Sequence, residues 1–184
     1  MGHRFNLDGV ASNLFEIRTY VHASRSICEK YEVVLGDFSN KPYSFGFYSG
    51  SLQAEVDTRL LEVAIRMRML LDVLKAFDQN DFDLSDYLQS SVSGICLGTV
   101  EKGKFKVNLR ECYNKLIHAD KIEYDWTEND DFTWWNGAIF LCGTHGISQW
   151  LFRLDVESFV TATERLLEHL IDEVDWSHFM KYGY

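Results

Sequence analysis

Three polar side chains near the middle of the chain have types that suit chemistry on a phosphodiester, and their spacing predicts that they share one helix face. They recur at four-residue intervals and comprise a guanidinium, an amide and an imidazole: Arg110, Asn114 and His118. At about 100° per residue, these positions fall on one face of an α-helix. A neutral imidazole can accept the proton of a ribose 2′-hydroxyl, and a guanidinium can hold a phosphate that gains charge in the transition state. We therefore predict acid/base chemistry on a phosphodiester at this face.

The helix that carries these side chains has its own start signal. Asn108 is a favourable N-cap, and Glu111 follows three residues later, where its carboxylate can bond back to the cap. The helix is therefore predicted to begin directly after Asn108. A structural interpretation of the same face stays open. In it, His118 favours the negative end of the helix dipole, and Arg110 pairs with Glu111 or Asp120.

Residues 113–118 resemble the signature of a known family. Their sequence, Tyr-Asn-Lys-Leu-Ile-His, is similar to the Arg-Asn-Lys-Leu-Val-His of HEPN proteins, helical nucleases and nucleotide-binding modules of prokaryotic toxin and defence systems. In that family an Arg, a polar residue and a His project from one helix into a cleft between two protomers and cleave RNA without metal. The family's Arg is replaced here by Tyr113. Arg110, one turn earlier on the same face, is the nearest substitute, and seven residues separate it from His118 where the family usually has four to six.

The resemblance implies a function as well as a site. His118 would be the acid/base group and Asn114 its polar partner, with no metal or other cofactor. The chain would be a HEPN-like module of a prokaryotic or phage conflict system that cleaves or binds RNA or a nucleotide. It would form a two-fold homodimer with the Arg110 and His118 faces opposed, because one such pair per chain is too few for a nuclease site.

Composition limits the other classes of protein. The chain has 184 residues, of which 46% are hydrophobic and 15% aromatic, so we predict a single globular domain over residues 1–184. Its 28 acidic and 18 basic residues give a net charge of −10. This charge argues against non-specific binding to nucleic acid, which requires a basic surface, but allows a local basic cleft.

The same composition indicates where the protein works. The chain has no apolar run of membrane-spanning length and no signal-peptide pattern, so we expect a cytoplasmic protein without a membrane partner. Its four cysteines are scattered without a Cys-x-x-Cys pair, which indicates reduced thiols and no zinc site.

Periodicity in the rest of the chain predicts an α+β domain that is predominantly α-helical. It indicates a long antiparallel helical hairpin, shorter helices, a three-stranded antiparallel meander and a C-terminal helix. The predicted helices are 13–35, 52–77, 85–97, one from 109 and one from 156, and the predicted strands are 122–126, 138–142 and 148–154. Residues 39–51 are expected to be a loop with room for a short strand at 44–48, 78–86 a solvated linker and 176–184 an aromatic tail.

A loop predicted at 127–137 supports a second hypothesis. It carries three acids followed by two tryptophans: Glu128, Asp130, Asp131, Trp134 and Trp135. Hairpin loops usually have two to five residues, so the extra length suggests a function. An acidic rim around an exposed aromatic anchor suits a basic protein partner. The alternative function is therefore a non-catalytic inhibitor, adaptor or nucleic-acid mimic, although packing of this loop over the sheet stays an open structural interpretation.

Overall fold

The computed structural model describes residues 6–76 and 83–176, which contain five helices and four strands. Their order is α1 (Leu7–Tyr31), α2 (Phe45–Ala76), α3 (Leu84–Ser91), β1 (Gly98–Lys102), α4 (Leu109–Ile117), β2 (Lys121–Glu128), β3 (Thr133–His145), β4 (Ser148–Asp155) and α5 (Val156–Glu173). The prediction of a helix-rich α+β fold is confirmed. The predicted linker at 78–86 and tail at 176–184 fall mostly outside the described residues.

The four strands form one antiparallel sheet in the order β1-β4-β3-β2. The prediction of three strands was therefore wrong, since β1 adds an edge strand beside β4. Its residues Gly98 and Val100 pair with Leu154 and Phe152. The strand is short and mostly exposed, so it lacks the apolar alternation by which a half-buried strand is recognised. Its position depends on pairing with a distant segment.

The hairpin of β2 and β3 is longer than predicted and its loop is shorter. β2 continues to Glu128 and β3 begins at Thr133, and these two residues are paired. The loop predicted at 127–137 is thus a four-residue turn. Asn129 closes it, because its Oδ1 accepts the backbone N–H of Phe132 at 2.8 Å. The register shifts between Tyr124 and Trp126, where three β3 residues, 136–138, lie opposite one β2 residue. This bulge interrupts the alternation of β3 and explains why the sequence pattern resembled a loop up to residue 137.

The two long helices form the expected antiparallel hairpin. Contacts between them run in opposite directions: Asn13 with Glu62, Glu16 with Arg59, and Ser24 with Tyr48. α1 starts earlier than predicted because Asn6 caps it, accepting a hydrogen bond from Gly9 at 2.9 Å.

The boundaries of α2 and α3 also differ from the predictions. α2 begins at Phe45, so residues 45–48 are helical and no strand forms there. Phe45 packs with Cys28, Val33 and Phe132 in a small cluster, which anchors this first turn. α3 ends at Ser91 instead of extending to 97. It begins at Leu84, and Asp83 caps it by accepting the backbone N–H of Ser85.

One hydrophobic core joins the helices to the sheet. It contains buried side chains from α1, α2, α4, α5 and all strands except β1, whose Val100 packs at its margin. The largest fully buried side chains include Trp135, Tyr113, Phe152 and Phe159. α4 is held between α2, α5 and the sheet, and this packing decides which of its side chains face solvent.

Candidate functional site

Helix α4 begins where its capping residues predict. The Asn108 Oδ1 accepts the backbone N–H of Glu111 at 2.9 Å, and the Asn108 carbonyl accepts the N–H of Cys112 at 3.0 Å. The helix has nine residues and ends at the C-cap His118, whose N–H donates to the Asn114 carbonyl at 3.0 Å. Leu116 and Cys112 anchor its inner side in the core.

Tyr113 lies on the buried side of α4. Its side chain is 0% exposed, and its hydroxyl donates to the Thr163 Oγ1 at 3.2 Å. Its ring meets that of Phe159 edge to face, with centroids 5.6 Å apart. Burial raises the pKa of Tyr113 far above its usual range, and the hydrogen bond with Thr163 offsets only part of this effect. The position at which the HEPN signature has Arg therefore faces the core in this chain.

Arg110 and Asn114 lie on the opposite side and contact α2. The Arg110 guanidinium donates to the Asp72 Oδ1 at 2.6 Å. The Arg68 Nε donates to the Asn114 Oδ1 at 2.8 Å, and Arg68 also forms an ion pair with Asp72. The structural interpretation expected Arg110 to pair with Glu111 or Asp120. Its partner is Asp72 instead. Sequence reasoning missed Arg68, because nothing local indicates which face of α2 meets α4.

The charges in this network do not cancel. Two guanidinium groups, Arg68 and Arg110, share the single carboxylate of Asp72. Partial burial acts to raise the pKa of Asp72, but hydrogen bonds from Arg68 and Arg110 outweigh it and the pKa lies below its usual range. The carboxylate is therefore ionised at neutral pH, and the three groups together keep one surplus positive charge at the surface.

His118 lies at the end of the same face. Its side chain is exposed and makes no hydrogen bond or ion pair with any other residue that the structure describes. It lies eight positions after Arg110, which at 1.5 Å per residue is about 12 Å along the helix axis. The imidazole and the guanidinium of one chain are therefore too far apart to hold a single phosphate together.

The two predicted tryptophans lie in different environments. Trp135 is 1% exposed, its indole N–H donates to the Ala138 carbonyl at 2.7 Å, and its backbone N–H donates to the Ser24 Oγ at 3.0 Å. Trp134 is half-buried, with the Arg25 guanidinium 5.1 Å from its ring centroid. Neighbouring strand residues point to opposite faces of the sheet, so only one of the two can face the core. The expectation that both tryptophans form an exposed anchor was wrong for Trp135.

The three acids of the second hypothesis remain at the surface. Glu128, Asp130 and Asp131 are exposed at and beside the turn between β2 and β3. They lie close together in sequence around a short turn. They form an acidic tip without the exposed indole pair that was expected to accompany them.

Comparison with known proteins adds no relative. No family model, curated protein or solved structure matches the chain, so the HEPN resemblance stays a prediction from residues 113–118. Among the described helices, none is long and apolar enough to cross a membrane. Within residues 6–76 and 83–176, no group of three or more His, Cys, Asp or Glu side chains is placed to hold a metal ion.

Proposed function

We propose that this protein is a HEPN-like module that acts on RNA through the exposed face of α4. His118 is the acid/base group, Asn114 its polar partner, and Arg110 the phosphate-holding group, in the setting of a prokaryotic or phage conflict system. The observation that supports this proposal is an unpaired, exposed imidazole on the same helix face as a guanidinium network that keeps a surplus positive charge.

Arg68 joins Arg110 in this role. It is held by the Asn114 amide oxygen and by Asp72, so its guanidinium is fixed beside that of Arg110. Two guanidinium groups that share one carboxylate can together stabilise the charge of a pentacoordinate phosphate, because the donors are already oriented before substrate arrives. The network therefore compensates for the Arg that Tyr113 replaces.

The chemistry follows from the groups present. A neutral His118 accepts the proton of a ribose 2′-hydroxyl, and the 2′-oxygen attacks the adjacent phosphorus. The bond to the 5′-oxygen breaks, and that oxygen takes a proton from a water molecule, which regains one from the His118 imidazolium. The products are a 2′,3′-cyclic phosphate and a 5′-hydroxyl. Arg110 of the same chain is too far from His118 to hold this phosphate, so the guanidinium comes from another copy of the chain.

A two-fold dimer also brings an Arg110 close to a His118, which are too far apart within one chain to hold the same phosphate. With two α4 helices antiparallel and facing each other, Arg110 of one copy lies opposite His118 of the other. The roughly 12 Å that separates them within one helix then no longer matters, because the contacts to a phosphate come from both chains.

Cleavage assays test the proposal directly. Single-stranded RNA is incubated with the wild type and with His118→Ala, with a chelator present throughout. We expect cleavage by the wild type and none by His118→Ala. The matched control is His22→Ala, which removes another exposed imidazole, on α1. Unchanged cleavage by the His118 variant would exclude the assignment.

The acidic tip supports a second candidate function, binding of a basic protein partner. Glu128, Asp130 and Asp131 are exposed together in a chain of net charge −10. Charges of this kind accelerate association with a basic surface more than they strengthen the complex. Replacing the three acids by their amides should slow binding of a lysine-rich peptide and reduce its salt dependence. Identical kinetics in wild type and variant would exclude the tip as a binding surface.

A further inference from the structure

A cleft of about 760 Å³ borders α4 on the side that carries Glu111 and Lys115. The cleft lies between α4, the segment that follows β1 and the turn between β3 and β4. The side chains that give it its chemical character are cationic or aromatic: Lys102, Lys104, Phe105, Lys115, His145 and Trp150. None of these residues belongs to the network of Arg68, Asp72 and Arg110.

Lys115 is fixed in position inside this cleft. Its Nζ lies 4.3 Å from the ring centroid of Phe105 and 4.2 Å from that of Trp150. The Glu111 Oε1 is 3.3 Å from the same ammonium, and the lysine side chain is only 12% exposed. Two aromatic faces and a carboxylate thus orient a lysine that would otherwise be flexible.

The cleft is basic in an acidic protein. Three lysines line it against the single carboxylate of Glu111, whereas the whole chain has a net charge of −10. Lys102 donates to the Gln149 Oε1 at 2.6 Å, and Lys104 makes no ion pair with any described residue. An anion is therefore attracted to the cleft although the net charge of the whole chain repels it.

The cleft is connected to the face that carries His118. Glu111 contributes to both, because its Oε2 accepts a hydrogen bond from the Asn114 amide at 3.2 Å while its Oε1 pairs with Lys115. His118 follows Lys115 by three residues, and side chains at this spacing are neighbours on a helix surface. A chain of phosphates that leaves the cleft beside Lys115 therefore passes His118.

We propose that this cleft holds the sugar–phosphate backbone of single-stranded RNA next to the site of cleavage. The inference rests on the proposed function and adds a binding groove to it. The volume is that of sites for small ligands, which span roughly 300–1,000 Å³, so it admits a short stretch of single strand and excludes a duplex. Lys115 already covers the faces of Phe105 and Trp150. Bases therefore do not stack on these rings, and binding is independent of sequence.

Salt dependence of binding tests this groove. The probe is a short, labelled 2′-O-methyl oligouridine, which cannot be cleaved because it lacks the 2′-hydroxyl. Its affinity is measured by fluorescence anisotropy at several salt concentrations. Each lysine contact to a phosphate of a single strand contributes about 0.7 to the slope of log affinity against log salt. Lys102→Gln with Lys104→Gln should therefore weaken binding at low salt and reduce the slope by about 1.4.

A matched double variant separates the groove from a general charge effect. Lys30→Gln with Lys41→Gln makes the same change in net charge. Residues 30 and 41 lie beyond the Thr133 end of β3, where the Thr133 N–H donates to the Val33 carbonyl. The cleft lies at the His145 end of the same strand. At about 3.3 Å per residue, roughly 40 Å of strand separates the two ends. We expect the control to keep the slope of the wild type.

Each outcome supports or excludes the groove. If the double variant Lys102→Gln, Lys104→Gln keeps the wild-type salt slope while the wild type still cleaves RNA, the cleft does not bind the RNA backbone. The proposed function then stands without it. If the wild type neither binds the probe nor cleaves RNA, both are wrong. Duplex RNA of matched length should compete weakly, and equal competition would overturn the preference for single strands.

Discussion

Tyr113 decides whether the HEPN signature can be completed in this chain. The residue is fully buried against Thr163 and Phe159, so Tyr113→Arg would place an unpaired guanidinium in the core and should destabilise the fold by several kcal/mol. Tyr113→Phe removes only the hydrogen bond with Thr163 and should cost about 0.5–1.5 kcal/mol. Urea unfolding measures both. A Tyr113→Arg variant as stable as the wild type would show that this position faces solvent.

Trp134 and Trp135 should respond differently to truncation. Trp135→Ala removes a buried indole and should cost about 3–5 kcal/mol. Trp134→Ala removes a half-buried ring that stacks with Arg25 and should cost clearly less. The midpoints of urea unfolding compare the two variants. Equally small effects would restore the hypothesis of an exposed aromatic pair at the tip of the β2–β3 hairpin.

At the scale of elements, β1 depends on a single glycine. Gly98 has φ +145°, and a Cβ there would lie 2.0 Å from the carbonyl oxygen of Arg153 on β4. Gly98→Ala should therefore break the pairing of β1 with β4 and lower the melting temperature. Gly50→Ala is the control, since it lies within α2 with nothing near its Cβ. That change should stabilise the protein by about 0.5–1 kcal/mol. A melting temperature of Gly98→Ala equal to that of the wild type would show that a Cβ at this position does not clash with Arg153.

α2 and β2 are joined by a partly buried carboxyl. The Tyr124 hydroxyl donates to the Asp57 Oδ1 at 2.8 Å. Burial raises the pKa of Asp57, and the hydrogen bond from Tyr124 opposes this only in part. The folded state therefore holds this proton to a higher pH than the unfolded state does. The contribution of Asp57 to stability falls as pH rises from its unfolded pKa of about 4 through the raised folded value.

Asp57→Asn tests this linkage. The amide keeps an acceptor for Tyr124 and removes the charge, so the variant should melt higher than the wild type at neutral pH. The difference should shrink as pH falls through the raised folded pKa and be smallest below pH 4, where the wild-type carboxyl is protonated in both states. The melting temperatures of the wild type and of Asp57→Asn, measured across this pH range, test this linkage. A difference that does not change with pH would show that Asp57 does not titrate as argued.

At the scale of the whole molecule, the proposed site requires two copies of the chain. Light scattering at micromolar concentration should give the mass of a dimer. Two chains of net charge −10 repel each other, so the dimer should strengthen as salt screens them. Binding of RNA should weaken over the same range, because it depends on lysine contacts to phosphate. A monomer at every salt concentration would count against the shared site.

Much of the architecture was predictable because its causes are local. Asn108 and Asp155 cap α4 and α5 through side chains that bond the backbone three residues on. Period-3.6 patterns marked the long hairpin and α5, and alternation marked the strands that form the meander. The helix-rich α+β class follows from these signals alone.

Other features depended on contacts between distant segments. Nothing within residues 98–102 requires a strand, which forms because β4 offers an unpaired edge. The inward direction of Tyr113 is set by the packing of α4 against α5. The pairing of Arg110 with Asp72 joins residues 38 positions apart, and the basic cleft brings three segments together. The sequence by itself determined where α4 begins and which side chains it carries. Only tertiary packing decided which of them reach solvent, because burial depends on the elements that cover each face.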